Sequence, residues 1–195
     1  MKHAVILAHP RRGSFTHTMA DAYAAAATET GDVATVRDLY AMKFDPCLPE
    51  SELPWSPAFR VREDVAAERA LLQDVETYAL FYPLWLNAPP AILKGYLERV
   101  FGFGFGYGRS PQGTTPLLAG RKLIVFTSSG APEGWLKDSG AWQAMHKLFD
   151  QHFAAVCGLN LLDHVHFGSI VPGIRADAVE DSRRAVQRTF AKHRG

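Results

Sequence analysis

Cysteine is scarce. There are two in 195 residues, Cys47 and Cys157, far apart and in no CxxC pair. That argues against a disulfide framework and leaves two buried or idle thiols. No charge of one sign dominates, because 21 basic residues meet 20 acidic ones for a net charge of +1. Nothing here calls for nucleic acid as partner, and the strongly acidic surface of a dedicated electron carrier is missing. No apolar run reaches the roughly 20 residues that would cross a bilayer, so membrane insertion is not expected. The opening segment has a single lysine and runs into His9-Pro10 rather than a small-residue cleavage site. A secretory leader is therefore not read here, and the expected location is cytoplasmic. Internal repeats, low-complexity tracts and interdomain linkers are absent. So is GxxxxGK[ST]. Gly102, Gly104, Gly106 and Gly108 follow a helical segment instead of a strand, so they lack the context of a dinucleotide fingerprint and read as a flexible helix exit.

What is present is the alternation of an α/β protein. Hydrophobic residues make up 47% and charged ones 21%, which suits one globular domain over residues 1–195. Short apolar runs at His3–Ala8, Asp32–Asp38, Thr77–Leu84, Arg121–Thr127 and Asn160–Phe167 read as strands. Helical segments lie at Ser14–Thr28, Arg60–Glu76, Pro89–Val100, Asp138–Cys157 and Asp177–His193. The stretch Leu39–Ala58, with Pro46, Pro49, Pro54 and Pro57, is irregular. Five strands alternating with five helices predict a doubly wound five-stranded parallel sheet with helices on both faces. Right-handed crossovers favour strand order 2-1-3-4-5, with a ligand crevice at the carboxyl ends of strands 1, 3 and 4.

Three loops meet at that edge. After strand 1, His9-Pro-Arg-Arg-Gly-Ser-Phe-Thr16 leads into a helix N-terminus, whose free N–H groups and dipole suit an anion. Gly13 allows close approach, Ser14 and Thr16 carry hydroxyls, and His9, Arg11 and Arg12 add donors; the bland reading is a capped helix start with solvated arginines. After strand 3, Pro83, Leu84, Trp85, Leu86 and Asn87 form an aromatic-polar turn. Trp85 is placed to lie against a planar ring, with the backbone of Leu86 and Asn87 at its polar edge. After strand 4, Thr127, Ser128, Ser129 and Gly130 offer small polar contacts, with Trp135 beyond them. Phosphate chemistry at one strand end and a flat heteroaromatic at the next two together point to a flavin.

At these residues the chain resembles the NAD(P)H:quinone oxidoreductases of flavodoxin-like fold, which include DT-diaphorase, the modulator-of-drug-activity proteins and the ancillary oxidoreductases of potassium efflux systems. The matching pieces are AHP…GSFTHTMA at 8–20, DLYAMKFDP at 38–46 and YPLWLNAPPAILKGYLERVF…FGYG at 82–108, with TSSG at 127–130 a looser match. The resemblance implies FAD, with FMN as the alternative, NAD(P)H as co-substrate, a quinone or similar small aromatic acceptor, and a homodimer with active sites at the subunit interface. It implies that His9, Ser14, Phe15 and Thr16 hold the flavin phosphates and ribityl chain. Pro83 to Asn87 would line the isoalloxazine, and Thr127 to Gly130 its pyrimidine edge. Tyr107 matches an aromatic that borders the substrate pocket in related enzymes. The aromatic-rich loop 101–107 would need covering, which also suits a dimer.

The departures concern the chemistry. The relatives carry a Tyr and then a His near the flavin; here Trp135 falls near the Tyr position, and no His stands at the other. TTGG becomes TSSG. The long C-terminal extension of the mammalian enzymes is missing. The enzyme reading has two rivals: a flavin-loaded ancillary subunit of a transport system, and a relative that has lost its flavin. His164 and His166 share one side of strand 5, but no third ligand is apparent, so no metal is expected. His146 and His152 read as ordinary surface or interface residues.

Overall fold

The computed structural model describes residues 1–194. Five parallel strands form the central sheet: β1 (Lys2–Leu7), β2 (Val33–Asp38), β3 (Thr77–Pro83), β6 (Lys122–Ser128) and β7 (Asn160–Phe167). They lie in the order β2-β1-β3-β6-β7, which is the expected 2-1-3-4-5 once an inserted hairpin is counted. That hairpin, β4 (Tyr107–Ser110) with β5 (Gly113–Pro116), is antiparallel and was not foreseen. Each of its strands is only four residues long, too short for a period-two pattern to stand out.

Alternation along the strands sorts side chains onto two cores. Val5, Leu7, Ala79, Phe81, Ile124 and Phe126 face α1 (Phe15–Glu29) and α7 (Ala176–His193). Ala4, Ile6, Tyr78, Leu80, Tyr82, Leu123 and Val125 face the opposite way, against α2 (Glu63–Leu72) and α3 (Ala91–Val100). Burial on both faces is why these strands read as continuous apolar runs.

The predicted helix Asp138–Cys157 is broken. Gly140 adopts a left-handed backbone (φ 73°) and separates α4 (Glu133–Asp138) from α5 (Ala141–Met145). A π-helical stretch, His146–Gln151, then runs into α6 (His152–Cys157). Gly158, also left-handed (φ 77°), ends it.

Two close approaches hold the crevice-bearing part together. A methyl group on Gly95 would lie 2.1 Å from the Pro46 carbonyl oxygen, so the irregular 39–62 segment reaches α3 only because that position is glycine. Arg99, wholly buried, is gripped by Glu52 (2.8 and 2.9 Å), Asp64 (2.8 and 3.1 Å) and the Asp45 carbonyl (2.6 Å). The loop after α3 is not the flexible exit expected. Arg69 donates to the carbonyls of Arg99 (2.8 Å), Val100 (2.9 Å) and Phe103 (3.1 Å). Phe101 is buried and Phe105 packs on the core, so the chain itself covers much of this aromatic segment.

Candidate active site

A crevice of about 540 Å³ opens at the carboxyl ends of β1, β3 and β6, a size that suits a small-molecule site. Its first wall is the turn into α1. Gly13 takes a left-handed backbone (φ 67°), and Ser14 caps the helix by accepting from the His17 N–H at 3.3 Å. The N–H groups of Phe15 and Thr16 find no partner within the described chain, and both residues line the crevice with Arg11. That is an anion cradle. The Ser14 hydroxyl is less available than the sequence suggested, because it lies 2.9 Å from His17 Nδ1, whose Nε2 contacts Asp38 Oδ2 at 3.3 Å. His17 was missed; its spacing of three from the cap was the available signal. The ring of Phe15 turns inward against Phe167. His9 accepts the Arg11 N–H on Nδ1 (3.0 Å), which leaves Nε2 for a ligand. Burial, with the nearby His17, lowers the His9 pKa and favours the neutral ring.

The second wall is β3 and its turn. Pro83, Leu84 and Trp85 line the crevice, with Trp85 43% exposed at its mouth. Trp85 and Ala88 exchange backbone hydrogen bonds (2.9 and 3.0 Å), closing a tight turn with Leu86 and Asn87 both left-handed (φ 50° and 58°). A residue as bulky as leucine at positive φ is strained, and such strain gathers at functional sites. The side chains of Leu86 and Asn87 leave the crevice. Leu86 is fully exposed, and Asn87 donates to the Ala141 carbonyl at 3.1 Å. Both border an apolar groove with Ala144, Met145, Leu148 and Phe149. The expectation for these two residues concerns their backbone, which the direction of the side chains leaves untouched.

The third wall is Ser128, Ser129 and Gly130, backed by histidines. Ser129 Oγ contacts His166 Nε2 (3.0 Å), and Thr127 Oγ1 contacts both His166 Nδ1 (2.8 Å) and His164 Nε2 (2.7 Å). His164 Nδ1 meets Asp150 Oδ2, and His146 Nδ1 meets the same oxygen at 2.9 Å. Burial, then the neighbouring His164, lowers the His166 pKa to about 4, so this ring is neutral near pH 7. Two sequence readings are corrected here. Further groups do join one of the β7 histidines: Asp150, from the π-helical stretch, meets His164, and His146 meets the same carboxylate, while His166 stays outside this cluster. His146 is not an ordinary surface residue, since it bonds this buried carboxylate. The spacing of four between His146 and Asp150 was visible, but only packing brings them onto β7. Residues Ile170 to Ile174 complete the crevice beyond β7 and carried no sequence signal.

Tyr107 and Trp135 stand outside the crevice of their own chain. Tyr107 lies in the hairpin with its ring edge-on to Phe103 (6.2 Å), and Trp135 projects from α4 with 59% exposure. Cys47 is exposed; Cys157 is buried, and burial pushes its thiol up to about 12. No helix among the described residues is long and apolar enough to cross a membrane.

Comparison with known proteins now assigns the class. A family model described as a flavodoxin-like fold matches residues 1–190, so the chain belongs to that family. An uncharacterized NAD(P)H oxidoreductase of Haemophilus influenzae is 30% identical over 199 residues, spanning 98% of this chain and 96% of that one. An NAD(P)H:quinone oxidoreductase from Methanothermobacter marburgensis superposes with a TM-score of 0.83 at 26% identity, covering 99% and 98% of the two chains. An FMN-dependent NADH-azoreductase from Bacillus anthracis, solved with FMN, has a TM-score of 0.73 at 16% identity, covering 98% of each chain. Within the flavodoxin-like family the chain belongs with the NAD(P)H:quinone oxidoreductases, and it is an oxidoreductase.

Proposed function

We propose that this chain is a cytoplasmic flavin-dependent NAD(P)H:quinone oxidoreductase, with flavin held in the crevice described above. The observation that carries this reading is one crevice with two chemistries. Unpaired helix-start N–H groups beside Arg11 occupy one end; Trp85 and the Ser128–Gly130 backbone occupy the other. The unpaired N–H groups of Phe15 and Thr16 fit a phosphate, with His9 Nε2 as a further donor or acceptor. Trp85 fits the face of a planar ring. The left-handed turn at Leu86 and Asn87 leaves backbone N–H groups for the ring's polar edge, and Ser128 to Gly130 meet its other side. When bound, a flavin would supply the two-electron chemistry, a hydride transfer between NAD(P)H and the acceptor.

The chain's part is orientation and exclusion of water. Leu84, Trp85, Ile170 and Val171 make the outer crevice apolar enough for a flat nicotinamide or quinone. Donor and acceptor would use that place in turn, which gives ping-pong kinetics. No Tyr or His occupies the relatives' position near the ring. Backbone N–H groups aimed at developing negative charge supply stabilisation without an ionisable side chain.

FMN and FAD share the ring system and first phosphate that this crevice suits. FAD is what the sequence resemblance implied, and the Bacillus neighbour was solved with FMN. Denaturing release followed by mass spectrometry decides between them. The purified protein should absorb near 450 nm (about where oxidised flavins do) and bleach on mixing with NADH or NADPH before a quinone is added. A reconstituted chain that stays colourless, or keeps its colour with both nicotinamides, would overturn the reading.

A homodimer is part of the proposal. Leu86 and Leu148 lie almost bare on the apolar groove, and pairing there would cover them beside the crevice. It would also decide whether Tyr107 and Trp135 approach a partner's substrate. Leu148→Glu should lower the mass seen by light scattering from two chains to one; a monomeric parent chain would remove this part.

A further inference from the structure

We propose that His146, Asp150 and His164 form a three-ligand site for a divalent transition-metal ion of the zinc class, separate from the crevice. The convergence of three ligand atoms beside an unpartnered buried carboxylate oxygen carries the inference. His146 Nδ1 (2.9 Å) and His164 Nδ1 both contact Asp150 Oδ2. Behind His164, its Nε2 lies 2.7 Å from Thr127 Oγ1, which also lies 2.8 Å from His166 Nδ1.

Ring N–H groups donated to Asp150 Oδ2 satisfy that one oxygen and leave the rest of the cluster unexplained. The His146 imidazole converges on the same carboxylate, and the three ligand atoms lie within 4.8 Å of one another. Asp150 is wholly buried, yet its other oxygen, Oδ1, has no hydrogen-bond partner. A metal ion accounts for both. The local backbone is also unusual: His146 and Asp150 lie in a six-residue π-helical stretch, and such widened turns gather at functional sites.

Two imidazole nitrogens and a carboxylate oxygen suit zinc, cobalt or nickel. Thr127 fixes the His164 tautomer from behind, the usual task of a residue supporting a metal ligand. Trp142 lies parallel to His146 (6°) with its centroid 4.6 Å from His164, and shelters the cluster. The His146 side chain is 29% exposed, which gives an ion its way in and leaves a fourth position open to water. An ion about 2.0 to 2.1 Å from each nitrogen needs donors roughly 3.3 Å apart, so the rings must back away from the carboxylate by less than about 1 Å.

The test uses the tag-free full-length chain as purified, with its bound cofactor, stripped of metal by a chelator and then titrated with zinc by calorimetry. Elemental analysis after gel filtration gives the stoichiometry. One ion per chain at micromolar affinity or tighter is expected. His146→Ala should weaken binding at least about ten-fold, and Thr127→Val, which frees the His164 ring, by a similar factor. Circular dichroism checks that both variants stay folded, and because His146 is partly exposed its variant reads the site even if Thr127→Val misfolds. No saturable zinc binding up to millimolar concentration, or binding that both variants leave unchanged, would overturn the proposal and leave a purely hydrogen-bonded His146–Asp150–His164 cluster. Flavin content is read separately by absorbance, so this outcome is independent of the reductase reading.

Discussion

Two buried charged clusters lie under the same face of the sheet, and they are built differently. Around Arg99, one guanidinium meets Glu52 and Asp64 in paired hydrogen bonds, takes in the Asp45 carbonyl and lies over the Phe44 ring. All of these groups belong to α2, α3 and the segment between β2 and α2. That cluster is closed, and it ties the irregular segment to the helices. Around Asp150, two imidazoles share one carboxylate oxygen while the other has no partner. Its groups come from the π-helical stretch and β7, and a line of hydrogen bonds runs from it to the crevice rim at Ser129. A satisfied cluster fixes a fold. An unsatisfied one, behind the crevice, has capacity left for function.

The contrast breaks first at Arg99. Arg99→Met leaves Glu52 buried without its partner and should cost about 3–5 kcal/mol in urea unfolding; a loss near 1 kcal/mol would mean the closed cluster is not what holds the segment. Gly95→Ala tests the same attachment through sterics. Its methyl would press on the Pro46 carbonyl oxygen at 2.1 Å, and a loss of about 1–3 kcal/mol is expected, unless the segment can shift at no cost. Asp150→Asn should be milder, about 1 kcal/mol, because the amide oxygen still accepts from an imidazole. A loss as large as that of Arg99→Met would erase the distinction between the clusters.

Acid sharpens it from another side. The Met1 ammonium and the Arg194 guanidinium lower the Asp32 carboxyl from its ordinary 3.8 to about 2. A depressed carboxyl contributes stability that is fully present above its unfolded value and is lost as pH falls through the folded one. Melting temperature should therefore drop between roughly pH 4 and 2, and Asp32→Asn should flatten that limb. An unchanged limb would place the acid sensitivity elsewhere. The smallest effect belongs to the exposed Lys94–Glu98 pair on α3: Glu98→Gln should change stability by no more than about 0.5 kcal/mol.

Much of the fold was legible because buried parallel strands announce themselves. HAVILA and YALFYPL have no polar face to hide, and the proline, glycine and polar clusters between them marked the turns. The crevice was legible at its walls for the same reason, since loops after strands 1, 3 and 4 meet wherever the sheet is doubly wound. The hairpin at Tyr107–Pro116 was not, being too short to show a period. Nor was the break at Gly140, where one left-handed glycine divides a segment that is helical on composition alone. At the site, Trp85 stands at the crevice mouth, while the side chains of Leu86 and Asn87 lie away from it. Their left-handed turn sends the side chains to the far groove, and the hydropathy pattern does not encode that rotation.

The order of residues by itself determined the layered sheet and the place of the crevice, because periodicity and turn chemistry are local and survive without knowledge of partners; the family was legible through the resemblance of its motifs. Only the tertiary structure decided which side chains meet at one carboxylate oxygen. His146, Asp150 and His164 lie up to eighteen positions apart on two elements, and their meeting depends on how a widened helical turn packs over the last strand, a long-range contact no short window of sequence contains.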